Sequence, residues 1–552
     1  MKAVIVMLNS KYVHSSLAPW CLLSGVRAYC DASVTAEVFE ATVNEDYRKI
    51  AERLIGLDAE LYGFCCYIWN IKAVKSVASE VKKHTNAKIV LGGPEVSFNA
   101  AEILDECSCV DYVLSGAGEE SFPSLCNALA GKGDFTDVEG LCRREKGKNI
   151  ISPPVISQKE YFSPYCKEYL DSLHGRIAYV EASRGCPFSC AFCLSGREKG
   201  LVLFDIERIK KEILLLAKSG TQTVKFIDRT FNASPKRADE IISFIIENYG
   251  REIPQDVCFH FEIDGGTLRE STTELLKNAP VGLFQLEIGL QSFNSDTLRA
   301  VHRNADTSRL ENVIKELVSA GNMHIHADLI AGLPCEKLSS FRESFNRLYA
   351  LSPHMLQLGF LKLLHGSELR EKSRDFGCEY STKPPYEVIS TDCLSKEDMH
   401  TIHLAEDAVD RVYNSGRFSR TLSFLVKECG FTPFDLFVKL GSLTDGKNNI
   451  PLDEYIALVY NFFGDKTDRM RLRDALVCDR LSSNASGVIP ECLKIPDARL
   501  RRIKKHLAEN MRLSGKTASA ILYSENKVVY CDYKHKNPVT GNFELSYMEI
   551  SL

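Results

Sequence analysis

Ile177-Ala178-Tyr179-Val180-Glu181-Ala182-Ser183, followed by Arg184-Gly185-Cys186-Pro187-Phe188-Ser189-Cys190-Ala191-Phe192-Cys193, decides how the chain is read. The first stretch has the composition of a barrel strand, and the second reads as the loop in which that strand ends. The loop sets Cys186, Cys190 and Cys193 at C-x3-C-x2-C spacing. A cubane iron-sulfur cluster ordinarily takes four cysteines, so three thiolates leave one iron open to a small molecule. A zinc site, or three unpaired structural cysteines, is the competing explanation. Zinc sites normally pair C-x2-C units with a fourth Cys or His at matching spacing, and none follows here.

Downstream the pattern alternates helix and strand. Asp205 can cap a helix from Ile206 to Ser219, with an apolar stripe at Ile209, Ile213, Leu216 and Ala217 and Gly220 as terminator. Strands are predicted at Val224–Asp228, Val257–Ile263, Phe284–Gly289, His324–Ile330 and Met355–Leu363, with helices between them. Two of those helices are predicted to open with Ser-x-x-Glu capping boxes, Ser308 to Glu311 and Ser340 to Glu343. Counted from Ile177 this gives six strands, a partial (β/α)6 barrel over residues 176–385. Chemistry in such barrels sits at the carboxyl ends of the strands. The polar residues there are Asp228; Glu262 and Asp264; Glu287, Gly289, Gln291 and Ser292, with Arg303 beyond; and Asp328 and Gly332.

The cysteine spacing, the strand before it and Phe192 before the last cysteine resemble the signature of the radical S-adenosylmethionine (SAM) superfamily. The strand ends resemble that superfamily's later motifs in order and spacing, Asp328-Leu329-Ile330-Ala331-Gly332-Leu333-Pro334 most closely. The resemblance implies a 4Fe–4S cluster on Cys186, Cys190 and Cys193, the open iron of which chelates SAM and cleaves it to a 5'-deoxyadenosyl radical. It also implies SAM contacts from Phe192; from Asp228 near the methionyl amine; from Glu287, Gly289, Gln291, Ser292 and Arg303 near ribose and carboxylate; and from Asp328 and Gly332 near adenine. The competing explanation for Asp228 and Glu287 is ordinary pairing with cations inside the barrel.

Residues 1–145 alternate short apolar strands with helical periods, the mark of a parallel sheet covered on both faces, here a flavodoxin-like Rossmann domain. Strands are predicted at Ala3–Leu8, Thr35–Glu40, Leu61–Cys66, Lys88–Gly92 and Tyr112–Ser115. The first is followed by Asn9, Tyr12, His14 and Ser16, the fourth by Gly92-Gly93-Pro94-Glu95, and the fifth by Gly116-Ala117-Gly118-Glu119. These loops resemble the cobalamin-binding domain fused to one class of radical SAM enzymes, and the resemblance implies that they line the corrin and its nucleotide tail. The Asp-x-His-x-x-Gly motif that supplies a lower cobalt ligand in other corrinoid domains is missing, and His14 is not placed to replace it. Residues 146–175 read as a polar linker.

Residues 386–552 read as a mostly helical domain of unassigned role, with amphipathic helices at Ser395–Tyr413 and Ser419–Cys429, a basic helix at Asp497–Asn510 and a terminal hairpin around Glu525-Asn526. The 20 cysteines show no even framework beyond the trio, which fits reduced thiols in a cytosolic protein. No stretch reaches the roughly 18 apolar residues of a membrane span. A net charge of −5 with mixed signs argues against nonspecific nucleic-acid binding. The whole implies a cobalamin-dependent radical SAM enzyme that methylates an unactivated carbon and takes electrons from a flavodoxin- or ferredoxin-type reductant. The alternatives are ring closure, rearrangement or anaerobic oxidation without methyl transfer, and a non-catalytic corrinoid or iron-sulfur sensor. The small-molecule or macromolecular substrate is not encoded in any motif.

Overall fold

A computed structural model describes residues 1–156, 159–197, 200–303, 305–447, 449–510 and 517–550. The chain divides into two compact units: Met1–Asn278 with Arg299–Asn304 and Leu361–Ile389, and Ala279–Leu298 with Ala305–Phe360 and Ser390–Leu552.

The first unit opens with parallel strands β1 (Lys2–Asn9), β2 (Thr35–Thr42), β3 (Leu61–Cys65), β4 (Lys88–Gly92) and β5 (Tyr112–Leu114) in the order β2-β1-β3-β4-β5. That order is the flavodoxin-like one, which puts ligand-binding loops at the carboxyl ends. Ala3 through Leu8 are fully buried, as expected of a strand with helices on both faces. The sheet runs two strands further than predicted. β6 (Leu141–Glu145), at the end of the stretch read as Rossmann domain, and β7 (Lys148–Ile150), in the stretch read as linker, form an antiparallel pair that continues the sheet beyond β5. Arg143, Arg144 and Glu145 lie in β6, paired on both sides, and the edge of the sheet is the short β7.

The same unit carries β8 (Ile177–Val180), the antiparallel hairpin β9 (Ser183–Cys186) and β10 (Gly200–Leu203), then β11 (Thr223–Phe226) and β12 (Cys258–Ile263). Strand β11 pairs in parallel with β8 on one side and β12 on the other. Asp205 caps the helix Ile206–Ala217 by accepting from the Arg208 amide.

In the second unit β13 (Phe284–Gln291), β14 (His324–Ala331) and β15 (Met355–Phe360) are parallel, with a register shift between Gly289 and Gln291. Six strands of barrel type are thus present, three in each unit. Both predicted capping boxes are displaced. Asp306, ahead of Ser308, accepts from the Ser308 and Arg309 amides and starts the helix Thr307–Ala320. Ser340 lies inside the first turn of Leu338–Ala350, where its hydroxyl accepts from the Lys337 amide. Beyond the strands come helices including Lys396–Ala408, capped by Ser395, and a three-stranded antiparallel sheet that begins at Ala518. The helix Arg499–Asn510 buries Ile503 and Leu507 and exposes Arg501, Arg502, Lys504 and Lys505. No helix among the described residues is long and apolar enough to cross a membrane.

Candidate active site

The cluster loop is anchored at both ends. Its entry is held by Asp228, just past β11, which accepts from the Ala182 amide at 2.9 Å and the Ser183 hydroxyl at 2.5 Å. Asp228 is buried, and burial pushes its carboxyl up to about 7. Its oxygens are therefore committed to the loop, whereas the family resemblance placed it against the methionyl amine. Between Cys190 and Cys193, the Ala191 amide donates to the Val301 carbonyl at 3.1 Å and the Ala191 carbonyl accepts from Leu369 at 3.0 Å. The Thr230 hydroxyl lies 3.5 Å from the Cys186 sulfur, and Arg303 Nη1 lies 3.8 Å from the Cys190 sulfur. Burial raises the Cys190 thiol and Arg303 opposes that rise. Three sulfur donors on a pinned loop, one beside a guanidinium, fit an iron-sulfur cluster.

Asp228 gives a pH prediction. Its folded value of about 7 stands above the ordinary 3.8, so its contribution to stability is fully present below the ordinary value and is lost as pH rises toward 7. The loss is on the order of 1.4 kcal/mol per pH unit across that window. Asp228→Asn removes the titration and keeps an acceptor for Ala182. Its unfolding midpoint relative to wild type should rise between pH 5 and pH 8; parallel pH profiles would refute the assignment.

A cavity of about 680 Å³ lies within the first unit. From the Rossmann sheet it is lined by Ser10, His14 and Ser16 after β1, Tyr67 and Trp69 after β3, Gly92, Gly93, Pro94, Ser97 and Phe98 at and after β4, and Gly116 through Glu119 after β5. From the barrel strands come Tyr179, Glu181, Ser183, Arg184, Gly185, Ile227, Arg229 and Glu262. Two glycines are required by geometry. At Gly93 (φ +111) a Cβ would sit 2.6 Å from the Cys66 carbonyl oxygen, and at Gly116 (φ +90) 2.2 Å from that of Val155. Tyr67 and Trp69 stack at 4.3 Å, with Trp69 half exposed. Glycine loops at strand ends, aromatic faces and this volume fit a large planar ligand such as a corrin.

The charges on the wall are largely matched. Arg184 bridges Glu119 at 2.7 Å and Glu181 at 2.7 Å, and Lys225 pairs with Glu262 at 3.2 Å. His14 Nδ1 lies 2.7 Å from the Tyr179 hydroxyl, and burial together with Lys11, Lys225 and Arg176 lowers its pKa.

Among the predicted cobalamin contacts, His14, Ser16, Gly92, Gly93, Pro94, Gly116, Gly118 and Glu119 line this cavity, and Asn9, Tyr12 and Glu95 do not. Asn9 is buried, donating to Glu40 at 2.9 Å and accepting from Ser16 at 2.7 Å. Tyr12 is 72% exposed, with the Arg176 guanidinium over its ring. Glu95 is buried and accepts from the Tyr386 hydroxyl at 2.5 Å. The missed wall residues Tyr67 and Trp69 follow β3, and the rule that ligands gather at carboxyl strand ends would have found them.

In the second unit Glu287, His326 and Asp328 converge, with His326 Nε2 2.9 Å from Asp328 Oδ1 and Nδ1 4.0 Å from Glu287 Oε2. His326 carries no sequence signal, because it sits mid-strand rather than at a carboxyl end. Gly289 opposes Asp328 across β13 and β14, and Gln291 takes a left-handed φ of +73 at the register shift. Gly332 is also left-handed, φ +86. Ser292 is buried and donates to Glu336 at 2.5 Å.

Comparison with known proteins agrees with this geometry. The B12 binding domain model matches residues 3–126, the Radical SAM superfamily model residues 180–348, and a model described as a protein of unknown function (DUF4080) residues 374–536. These matches set a B12 binding domain ahead of a radical SAM domain in this chain, and the cofactors of those two domains are cobalamin, SAM and a 4Fe–4S cluster. It is 26% identical over 415 residues to 2-(S-pantetheinyl)-carbapenam-3-carboxylate methyltransferase of Streptantibioticus cattleyicolor, covering 68% of this chain and 60% of the relative. It is also 26% identical to the cobalamin-dependent radical SAM methyltransferase TokK of Streptomyces tokunonensis, covering 60% of this chain and 51% of that protein. The chain therefore spans between half and two thirds of the length of these curated relatives. The solved structure of the cobalamin-dependent SAM radical enzyme OxsB, with aqua-cobalamin and SAM bound, matches at TM-score 0.62 and 13% identity over 92% of this chain and 81% of that one. That likeness concerns the fold.

Proposed function

We propose that this protein is a cobalamin-dependent radical SAM methyltransferase acting on an unactivated carbon. The observation that carries the proposal is the cavity in the first unit, which the glycine loops after β4 and β5 and the root of the cluster loop, Ser183 to Gly185, line together. When bound, the cluster supplies an electron for SAM cleavage and the corrin a carrier for a methyl group.

The chain's own residues supply placement. Cys186, Cys190 and Cys193 would hold the cluster, and Asp228 fixes the start of their loop. Gly93 and Gly116 let their loops pass close against the Cys66 and Val155 backbone and so shape the cavity wall, while Arg184 and Lys225 neutralise the wall carboxylates. Phe64, Leu114, Phe122 and Ile227 give the cavity apolar surface that keeps water from a radical. The roles of Phe192, Glu287, Gly289, Gln291, Asp328 and Gly332 toward SAM, and of His14 and Ser16 toward the corrin, are part of this proposal. So are a flavodoxin- or ferredoxin-type electron donor and a cytosolic setting, the latter supported by the 20 unbridged cysteines. That two curated relatives are named methyltransferases supports methyl transfer.

The test is anaerobic purification from cells supplied with cobalamin, followed by reduction in the presence of SAM and a panel of candidate substrates. Near-stoichiometric corrinoid, and S-adenosylhomocysteine formed beside 5'-deoxyadenosine, are expected. Deoxyadenosine alone, with a turned-over substrate, would replace methylation with cofactor-assisted radical rearrangement or oxidation.

A further inference from the structure

Arg303 follows β13 in sequence, and the family resemblance assigns it to the carboxylate of SAM. Its surroundings point elsewhere. One terminal nitrogen, Nη1, lies 3.8 Å from Cys190 Sγ, and the other, Nη2, 3.3 Å from Asp264 Oδ2. Both ionic side chains are mostly buried, 14% and 15% exposed. Asp264 is itself fixed: its amide donates to Asn232 Oδ1 at 2.9 Å, and Oδ1 accepts from the Thr267 amide at 2.9 Å, leaving Oδ2 for the arginine. The backbone before Arg303 is tied to the same cysteine loop, because the Val301 carbonyl accepts from Ala191. His302, between them, holds a left-handed φ of +58 and faces Glu368 at 3.5 Å. Carboxylate, backbone and turn together hold the guanidinium toward a single sulfur.

A cationic N–H donor on a cluster thiolate withdraws electron density from the sulfur and stabilises the extra negative charge of the reduced cluster, which raises its potential. The Thr230 hydroxyl beside Cys186 donates its one proton to the Arg229 carbonyl at 2.8 Å and so is not a second donor of this kind. We infer that Arg303 is a positioning residue that hydrogen-bonds the Cys190 thiolate and sets the reduction potential of the cluster, with Asp264 orienting it. The inference rests on the reading of the cysteine trio as a cluster site.

The experiment is a potentiometric titration, followed by electron paramagnetic resonance without SAM, on anaerobically reconstituted wild type, Arg303→Gln and Arg303→Lys, with iron and sulfide content measured for each. SAM dissociation constants are measured in parallel by equilibrium dialysis. Arg303→Gln should hold the cluster with a midpoint shifted to more negative potential and an unchanged SAM dissociation constant. A lysine keeps the charge but cannot fork between Cys190 and Asp264, so its midpoint should fall between the other two. An unchanged midpoint in Arg303→Gln overturns the inference, and weakened SAM binding beside it returns Arg303 to the SAM carboxylate. If the glutamine variant holds no iron, the lysine variant decides by the same shift. Failure of both to hold iron, with wild type loaded, overturns the potential-setting role in favour of one in assembly. A wild type that takes up no cluster instead refutes the cluster reading.

Discussion

Cys190→Ala is expected to give a folded protein that retains no cluster and forms no 5'-deoxyadenosine above the background without enzyme. Fold and cofactor separate cleanly at this position. The side chain is buried, but exchanging a thiol for a methyl group empties little volume, and such small truncations cost about 1 kcal/mol. The loop keeps its anchors from Asp228, Val301 and Leu369, none of which involves a cysteine side chain. What is lost is one of three thiolates for a cubane already one ligand short. No neighbouring sulfur is suited to stand in. Cys65 lines the cavity that the root of the cluster loop, Ser183 to Gly185, also lines, but burial pushes its thiol up to about 12, so it stays protonated and is a poor iron ligand. Cys65→Ala is the matching control and should keep both iron and SAM cleavage. Iron and sulfide analysis, resonance spectra and chromatography of the nucleoside product check the pair. Full iron in Cys190→Ala with undiminished cleavage would remove the basis of the functional proposal.

The same loop shows how much of the molecule can be read from sequence alone. Spacing and the preceding strand suffice for the cysteines, because cluster ligation is local chemistry within eight residues. The five Rossmann strands and six barrel strands are equally legible, since each is a short apolar run between turn signals. Side-chain direction is not. Glu95 belongs to a glycine-rich loop that lines the cavity, yet its carboxyl takes the hydroxyl of Tyr386, 291 residues later. Ser292 is captured in the same way by Glu336, and Asn9 by Glu40. Each diversion depends on a partner brought in by the fold, which no local motif records. The displaced helix caps have a simpler cause. Asp306 and Ser308 are both competent N-caps, and the chain uses the carboxylate, whose charge also suits the helix N-terminus.

Arg184→Met is expected to destabilise the first unit by about 3–5 kcal/mol, the usual cost of removing one partner from a buried ionic group. Arg184 sits beside the first cluster cysteine in sequence, but its side chain works on the corrinoid side. Nε and Nη2 bind Glu181 at 2.8 and 2.7 Å, and Nη1 binds Glu119 at 2.7 Å, with the Tyr161 ring 5.4 Å away. Glu119 belongs to the Gly-x-Gly-Glu loop after β5 and Glu181 to the end of β8, so one guanidinium joins the two walls of the cavity. Methionine matches the length of the arginine stem and leaves without their ionic partner two carboxylates, Glu119 and Glu181, that are 9% and 15% exposed. Urea unfolding should show an earlier midpoint, and corrinoid retained after gel filtration should fall with it, because the loop carrying Gly116 and Gly118 loses its tether. The decisive comparison is the triple variant with Glu119→Gln and Glu181→Gln. If uncompensated charge is the source of the loss, neutralising both acids returns most of the stability even though every ionic bond is gone. If the triple variant is no more stable than Arg184→Met, the arginine acts through packing on Tyr161 and the tether is steric. Corrinoid retention separates a further point: recovery of stability without recovery of corrinoid would show that Arg184 sets the position of the Gly116–Glu119 loop as well as its charge balance.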